Sequence, residues 1–205
     1  MEDNNIFMIC RKLNYLAFKG LNKSYKIRNL KKAELEIWKA FPFDTKEDKA
    51  KYSYILDKYY NDNFSDREVE FYNACKVICD ENDKILGTCF LWKTKSGLWS
   101  IQWFKVINEY ANKGIGRQLL SYIFREENFE FPIILHTHPV SFAAIKLYHD
   151  FGFEFLINNY IGSRINHLNR SIDFIKKNVN LNSIQYTSLF EKEKELLSIY
   201  QSEDF

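Results

Sequence analysis

The stretch that most constrains the fold is Phe104-Lys-Val-Ile-Asn-Glu-Tyr-Ala-Asn-Lys-Gly-Ile-Gly-Arg-Gln-Leu-Leu120, where an apolar strand pattern breaks at Gly114 and Gly116 and resumes with helical spacing. Glycines let the backbone approach a ligand closely, and the unpaired N–H groups of the first helical turn then point at it. A strand, a tight glycine loop and a helix start therefore make an anion site, most often for phosphate. A second strand-to-helix unit follows, Ile133 to Phe153, with Tyr148 one turn before the glycine stop at Gly152.

The loop fits neither common nucleotide motif. It lacks the second Gly-Lys-Ser/Thr of a P-loop, and the third glycine of the dinucleotide fingerprint is missing. What remains is a phosphate-bearing ligand held mainly by backbone, flanked by Lys113 and Arg117.

Upstream, Tyr25–Arg28 reads as a short strand. Leu30, Leu35, Trp38 and Phe41 share a helical face that Pro42 ends, and Lys46–Tyr60 reads as a second helix. The Ser65 and Glu68 spacing predicts a capping box opening another helix. Lys76–Cys79, Ile85–Trp92 and Leu98–Ile107 read as three consecutive antiparallel strands, and Ile115, Leu119, Leu120, Ile123 and Phe124 mark one side of the next helix. The order implies an α+β or mixed α/β domain around a central sheet. The apolar run Ile6–Cys10 is left open between a strand and a segment lying over the core. Beyond Tyr160 the pattern suggests two outer helices.

With 205 residues the chain suits one domain with a modest appendage, and 46% hydrophobic residues support a packed core. A formal net charge of +2 offers no basic excess for nucleic acid, which weakens that reading. No stretch approaches the roughly twenty apolar residues of a membrane span, so no membrane role is expected. The four cysteines, Cys10, Cys75, Cys79 and Cys89, lack zinc-site spacing and are too few for a disulfide scaffold, which points to a reducing, cytoplasmic setting and to no metal.

Val106, the loop Tyr-Ala-Asn-Lys-Gly-Ile-Gly-Arg and the segment Ser-Phe-Ala-Ala-Ile-Lys-Leu-Tyr-His-Asp-Phe-Gly-Phe together resemble the acetyl-coenzyme A signature of the GNAT superfamily of N-acetyltransferases. The resemblance covers roughly residues 25 to 160. It implies a central mixed, mostly antiparallel twisted sheet flanked by helices, preceded by an extension over 1–24 and followed by a helical extension over 161–205 packed on the same domain.

The resemblance also implies roles. The family's Arg/Gln-x-x-Gly-x-Gly/Ala pattern falls on Ala111 to Gly116, with Ala111 in place of Arg or Gln. Asn112, Lys113, Gly114, Ile115, Gly116 and Arg117 would then hold the coenzyme pyrophosphate. Val106 would offer main-chain bonds to the pantetheine arm, Ser141 and Ala144 would line the coenzyme, and Tyr148 would contact it and protonate the departing thiolate.

For Ser141, helix capping is an equal alternative, and for Tyr148 a core position is the competing reading. Acetyl transfer needs a neutral amine, yet no clear base stands out. His136 and His138 alternate along the predicted strand, and either could serve as base or substrate ligand, or the two could bind a metal if a third ligand existed. Phe43 and Trp103, like Phe41, Trp92 and Tyr160, are candidates for an aromatic acceptor wall, although such residues are more often core.

The reading is a direct acetyl transfer from acetyl-coenzyme A to a primary amine of a small molecule or protein. The alternative is a catalytically silent acyl-coenzyme A sensor. Oligomeric state, monomer or homodimer, is left open.

Overall fold

The computed structural model describes residues 4–181 and 183–199. The fold is mixed α+β, with a central, mostly antiparallel sheet flanked by helices. Contacts divide the chain into two compact units. One is drawn from Met1–Phe18, Trp92–Gln102 and Asn128–Phe205, the other from Lys19–Leu91 and Trp103–Glu127.

In chain order the elements are β1 (Ile6–Cys10), β2 (Lys26–Asn29), α1 (Leu35–Ala40), α2 (Lys46–Asn63), α3 (Glu68–Ala74), β3 (Lys76–Cys79), β4 (Ile85–Lys93) and β5 (Trp99–Val106). Then come α4 (Ile115–Glu126), β6 (Ile133–Thr137), α5 (Phe142–Asp150), β7 (Glu154–Leu156), β8 (Tyr160–Ile161), β9 (Arg164–Ile165), α6 (Leu168–Asn178), β10 (Tyr186–Thr187) and α7 (Glu191–Ile199). The unit boundaries fall within β4 and β5, so each of these strands contributes to both units.

In the second unit the strand order is β5-β4-β3-β2. Its core is aromatic. Trp38 of α1 lies edge-on to Phe71 of α3 at 5.1 Å and to Trp103 of β5 at 5.3 Å, with Tyr60, Phe64 and Phe90 in the same cluster. Trp38 is the residue that the α1 pattern places inward, and it is 2% exposed. Helix α2 starts at Thr45, whose hydroxyl accepts from the Asp48 N–H at 3.0 Å.

The expected capping box at Ser65 does not form. Its hydroxyl instead donates to the Asn61 carbonyl at 2.7 Å, back into α2. Residues 65–67 make a 3-10 turn, and α3 begins at Glu68. Arg67, not Ser65, therefore occupies the N-cap position of α3.

In the first unit the order is β10-β7-β1-β6-β5. The segment Ile6–Cys10 is a strand, antiparallel to β6 from Ile6↔Thr137 to Cys10↔Ile133, and antiparallel to β7 at Met8↔Phe155. All five of its residues are buried, which explains a continuous apolar run in place of alternation. Strands β5 and β6 pair in parallel at Trp99↔Ile133 and Ser100↔Ile134. Phe7, Ile9, Leu98, Ile134, Leu156, Ile161, Leu189 and Leu197 form a buried cluster.

The chain beyond Tyr160 is less purely helical than its pattern suggests. A short hairpin, β8 with β9, precedes α6, and β10 joins β7 in parallel before α7. Leu189 reaches the core from the connection before α7. Arg11 fastens α7: its Nε and Nη2 donate to the Glu193 carboxylate at 2.9 and 2.6 Å, and its guanidinium lies 3.8 Å over the Phe190 ring.

Candidate active site

The glycine loop lies in the second unit. After Val106 ends β5, residues 108–110 form a 3-10 turn, and Asn112 and Gly114 take left-handed backbone with φ of +60° and +77°. Gly114 is the N-cap of α4. A Cβ there would meet only Gln118 Nε2, at 3.9 Å, so the need for glycine is conformational and the space above it is open.

Residues 111–114 are exposed, whereas Ile115 is 1% exposed and anchors the first turn in the core. Unlike α2, helix α4 has no capping side chain and no acid in its first turn. Its leading N–H groups are therefore left for an anion, with the positive end of the helix dipole behind them. Lys113 Nζ stands 4.6 Å from the Tyr110 ring centroid, and Arg117 is half-buried.

Two features of this region escape the motif. A Cβ on Gly87 of β4 would come within 3.1 Å of the Lys105 carbonyl and 3.3 Å of Val106 Cγ2, so glycine there permits the close approach of β5 where it enters the loop. An isolated glycine inside a strand pattern is its sequence signal. Trp103, in mid-β5, has φ +49°, rare for a bulky residue, and no local residue pattern announces it.

Helix α5 and strand β6 belong to the first unit. Ser141 is the N-cap of α5 but makes no side-chain capping bond; its N–H donates to the His138 carbonyl at 2.9 Å. The helix-capping alternative for this residue thus finds no hydrogen bond behind it. Ala144 is half-buried, and Tyr148 is 4% exposed with its ring 5.8 Å from that of Phe153. Gly152 closes the helix at φ +99°.

Residues 67–155, which contain the loop, α5 and Tyr148, match the family model described as an acetyltransferase (GNAT) domain. Over that segment the chain is similar to GNAT acetyltransferase domains. No curated protein matches the sequence significantly. Among solved structures, a GCN5-related N-acetyltransferase from Sphaerobacter thermophilus is 12% identical with a TM-score of 0.50, over 74% of this chain and 48% of that one. Spermidine N-acetyltransferase from Vibrio cholerae, in complex with CoA and spermine, is 21% identical at a TM-score of 0.46, over 71% and 89% of the two chains. Arabidopsis thaliana Naa50, in complex with a bisubstrate analogue, is 26% identical at 0.44, over 70% and 91%. The chain spans about half the length of the Sphaerobacter protein and of a similarly matched Drosophila protein.

The remaining candidate residues divide between the units. In the first, His136 of β6 faces Phe7 across the ladder, and its Nδ1 lies 3.3 Å from Arg164 Nη1. His138 falls beyond the strand end at Thr137, so the period-two argument does not carry the two imidazoles to one face; its Nδ1 is 3.5 Å from the Val140 N–H donor. In the second unit, Phe43 stacks on Tyr52 at 6.3 Å. Trp103 packs edge-on to Tyr59 and Trp38, both at 5.3 Å, within the aromatic core.

All four cysteines are buried and free. Desolvation raises the thiols of Cys10 and Cys75 to about 12 and that of Cys79 to about 11, and lifts Cys89 well above its ordinary value, which disfavours the nucleophilic thiolate. Among the described residues no group of three or more His, Cys, Asp or Glu is placed to hold a metal ion, and no helix is long and apolar enough to cross a membrane.

Proposed function

We propose that this protein transfers an acetyl group from acetyl-coenzyme A directly to a primary amine. The observation that carries the reading is the uncapped start of α4, opened by left-handed Gly114 and free of first-turn acids, within the segment that matches the GNAT family model. The N–H groups from Ile115 onward receive the pyrophosphate, Asn112, Lys113, Gly116 and Arg117 complete the loop, and the Val106 backbone, Ser141 and Ala144 serve the pantetheine arm. The inert thiols support direct attack without a covalent cysteine intermediate. Tyr148 gives its phenolic proton to the leaving thiolate. His136, His138, Phe43 and Trp103 remain our candidates for the acceptor side, and a small molecule or a protein terminus would satisfy the amine chemistry equally.

Calorimetric titration with acetyl-coenzyme A, with NAD as control, tests the ligand. Saturable binding of the first alone is expected, and no binding by folded protein refutes the proposal. Tyr148→Phe is expected to keep coenzyme affinity while slowing release of free coenzyme A from an amine panel; unchanged turnover would remove Tyr148 from the mechanism. The burial of Tyr148 favours one other reading, a coenzyme-binding sensor without turnover. Tight binding with no coenzyme A release across the panel would select it.

A further inference from the structure

What an imidazole can do in a transfer reaction depends on which ring nitrogen holds its proton. In a neutral histidine one nitrogen donates and the other accepts, and the partner of one fixes the state of the other. A histidine that takes a proton at Nε2 needs Nδ1 held as an N–H, facing a carbonyl or a carboxylate.

His136 is arranged the opposite way. Its Nδ1 lies 3.3 Å from Arg164 Nη1. A guanidinium has N–H donors and no acceptor, and it stays charged. In this contact Arg164 donates and Nδ1 accepts, so the single proton of the neutral imidazole sits on Nε2. Adding a proton at Nδ1 would set N–H against N–H and cation against cation. Neither nitrogen is then a base, since the Nδ1 lone pair is engaged and Nε2 already carries hydrogen.

The fold delivers both side chains to this contact within the first unit. Phe7 of β1 is the ladder partner of His136, with its ring centroid 6.1 Å from the imidazole, and the Arg164 guanidinium lies 5.2 Å from the same Phe7 ring, within cation–π range. Arg164 pairs with Ile161 across the β8–β9 hairpin, and Ile161 is fully buried in the core cluster. Two residues on, Asn166 Nδ2 donates to the Leu156 and Asn158 carbonyls at 2.6 and 3.0 Å, which ties the hairpin back to the end of β7.

We propose that Arg164 is a positioning residue that holds His136 as a neutral Nε2–H donor toward an oxygen of the acceptor molecule, and that His136 is not the base of the transfer. The role rests on the acetyl-transfer reading above, but the tautomer is measurable without turnover. Arg164 lies outside residues 67–155, the part that matches the family model. The acceptor chemistry that fits is an amine bearing a carbonyl, carboxylate or hydroxyl oxygen, because the nearby guanidinium repels a second ammonium.

Two-bond proton–nitrogen correlation spectra of the isotope-labelled full chain at pH 8, above the ordinary imidazole value of about 6.5, show which ring nitrogen carries hydrogen, and His136→Gln assigns the signal. Wild type should carry the proton on Nε2. A free histidine leans the same way, so variants at 164 decide. Arg164→Lys keeps a charged donor and should keep the Nε2 proton, whereas Arg164→Glu offers an acceptor and should move the proton to Nδ1. A wild type protonated on Nδ1, or a folded Arg164→Glu protein whose tautomer stays put, would overturn the assignment. Should the glutamate variant not fold, Arg164→Met removes the donor and should move the bare Nδ1 resonance to higher frequency; an unmoved resonance would count against the contact. In turnover with acetyl-coenzyme A and the panel amine that wild type acetylates fastest, His136→Ala should raise the acceptor KM by roughly two- to tenfold, the worth of one hydrogen bond. A fall in kcat of about a hundred- to ten-thousandfold would mark a lost general base and refute the donor role. A wild type that releases no coenzyme A would refute the acetyl-transfer reading and the acceptor role with it, while the spectra decide the tautomer separately.

Discussion

Gly152→Ala should be among the most destabilising single-methyl additions in the first unit. Gly152 has φ +99°, and a Cβ built there meets the Lys12 carbonyl oxygen at 2.8 Å and Asn14 N at 3.3 Å. Left-handed backbone costs an L-residue about 1–2 kcal/mol. The oxygen is backbone, so relief requires moving the 12–14 strap, and overpacking of that kind costs about 1–3 kcal/mol. The strap is not free to move. Asn14 N–H donates to the Phe151 carbonyl and Asn14 Nδ2 to the Asp150 carbonyl, each at 2.9 Å, clasping the end of α5. The sum is about 2–5 kcal/mol. Gly97→Ala is the control: its φ of +84° carries the same conformational cost, but nothing lies within 4 Å of the added methyl, so about 1–2 kcal/mol is expected. Urea unfolding followed by tryptophan fluorescence reads the difference as a shift in midpoint. Equal losses in the two variants would show that the Lys12 contact costs nothing and would refute the reasoning.

Burial and the raised thiol values predict that Cys10, Cys75, Cys79 and Cys89 resist an aromatic disulfide reagent at pH 8 until denaturant is added; prompt labelling of any of them in folded protein would contradict this. Asp83 and Glu34 share Arg28, which donates to both carboxylates at 2.8 Å and holds each below its ordinary value of 3.8 or 4.5, with Lys31 and Lys26 reinforcing Asp83. Because the folded values are depressed, their stabilisation is full above the unfolded values and is lost as pH falls below them, so melting temperature should drop from about pH 5 downward. Asp83→Asn, tolerable at φ +64°, should flatten that slope; an unchanged slope would exclude Asp83 from it.

The sequence exposes those parts of the fold that local chemistry decides. Gly114 must be glycine for its positive φ, and the spacing of Ile115, Leu119, Leu120 and Ile123, all buried, declares the helix that follows. The strands β3, β4 and β5 are legible because polar turns interrupt them. Elsewhere the deciding partner is distant. Ile6–Cys10 could be a buried strand or a covering segment until β6 and β7 are seen on either side of it, more than 120 residues later. Arg11 and Glu193 are 182 residues apart, and no local pattern links them. Trp103 adopts φ +49° in a strand whose residue types ask for extended backbone; aromatic packing against Trp38 and Tyr59 supplies a tertiary constraint invisible to propensity.

That dependence on distant partners bears on the candidate chemistry. Helix α5 carries Ser141, Ala144 and Tyr148 between β6 and β7, and β1 lies between those two strands. The residues that follow β1 continue directly to the far end of α5, where Asn14 takes the last two carbonyls and the Lys12 carbonyl closes over Gly152. The orientation of Tyr148 is therefore set by the opening segment of the chain as well as by the helix that bears it. Asn14→Ala removes the amide bond to the Asp150 carbonyl and the side-chain oxygen that accepts from Leu16 N–H, but leaves the Gly152 backbone and the α4 loop unaltered. On this argument it should lower the turnover of an active enzyme more than it lowers affinity for coenzyme A, whereas equal losses would place α5 outside the transfer step.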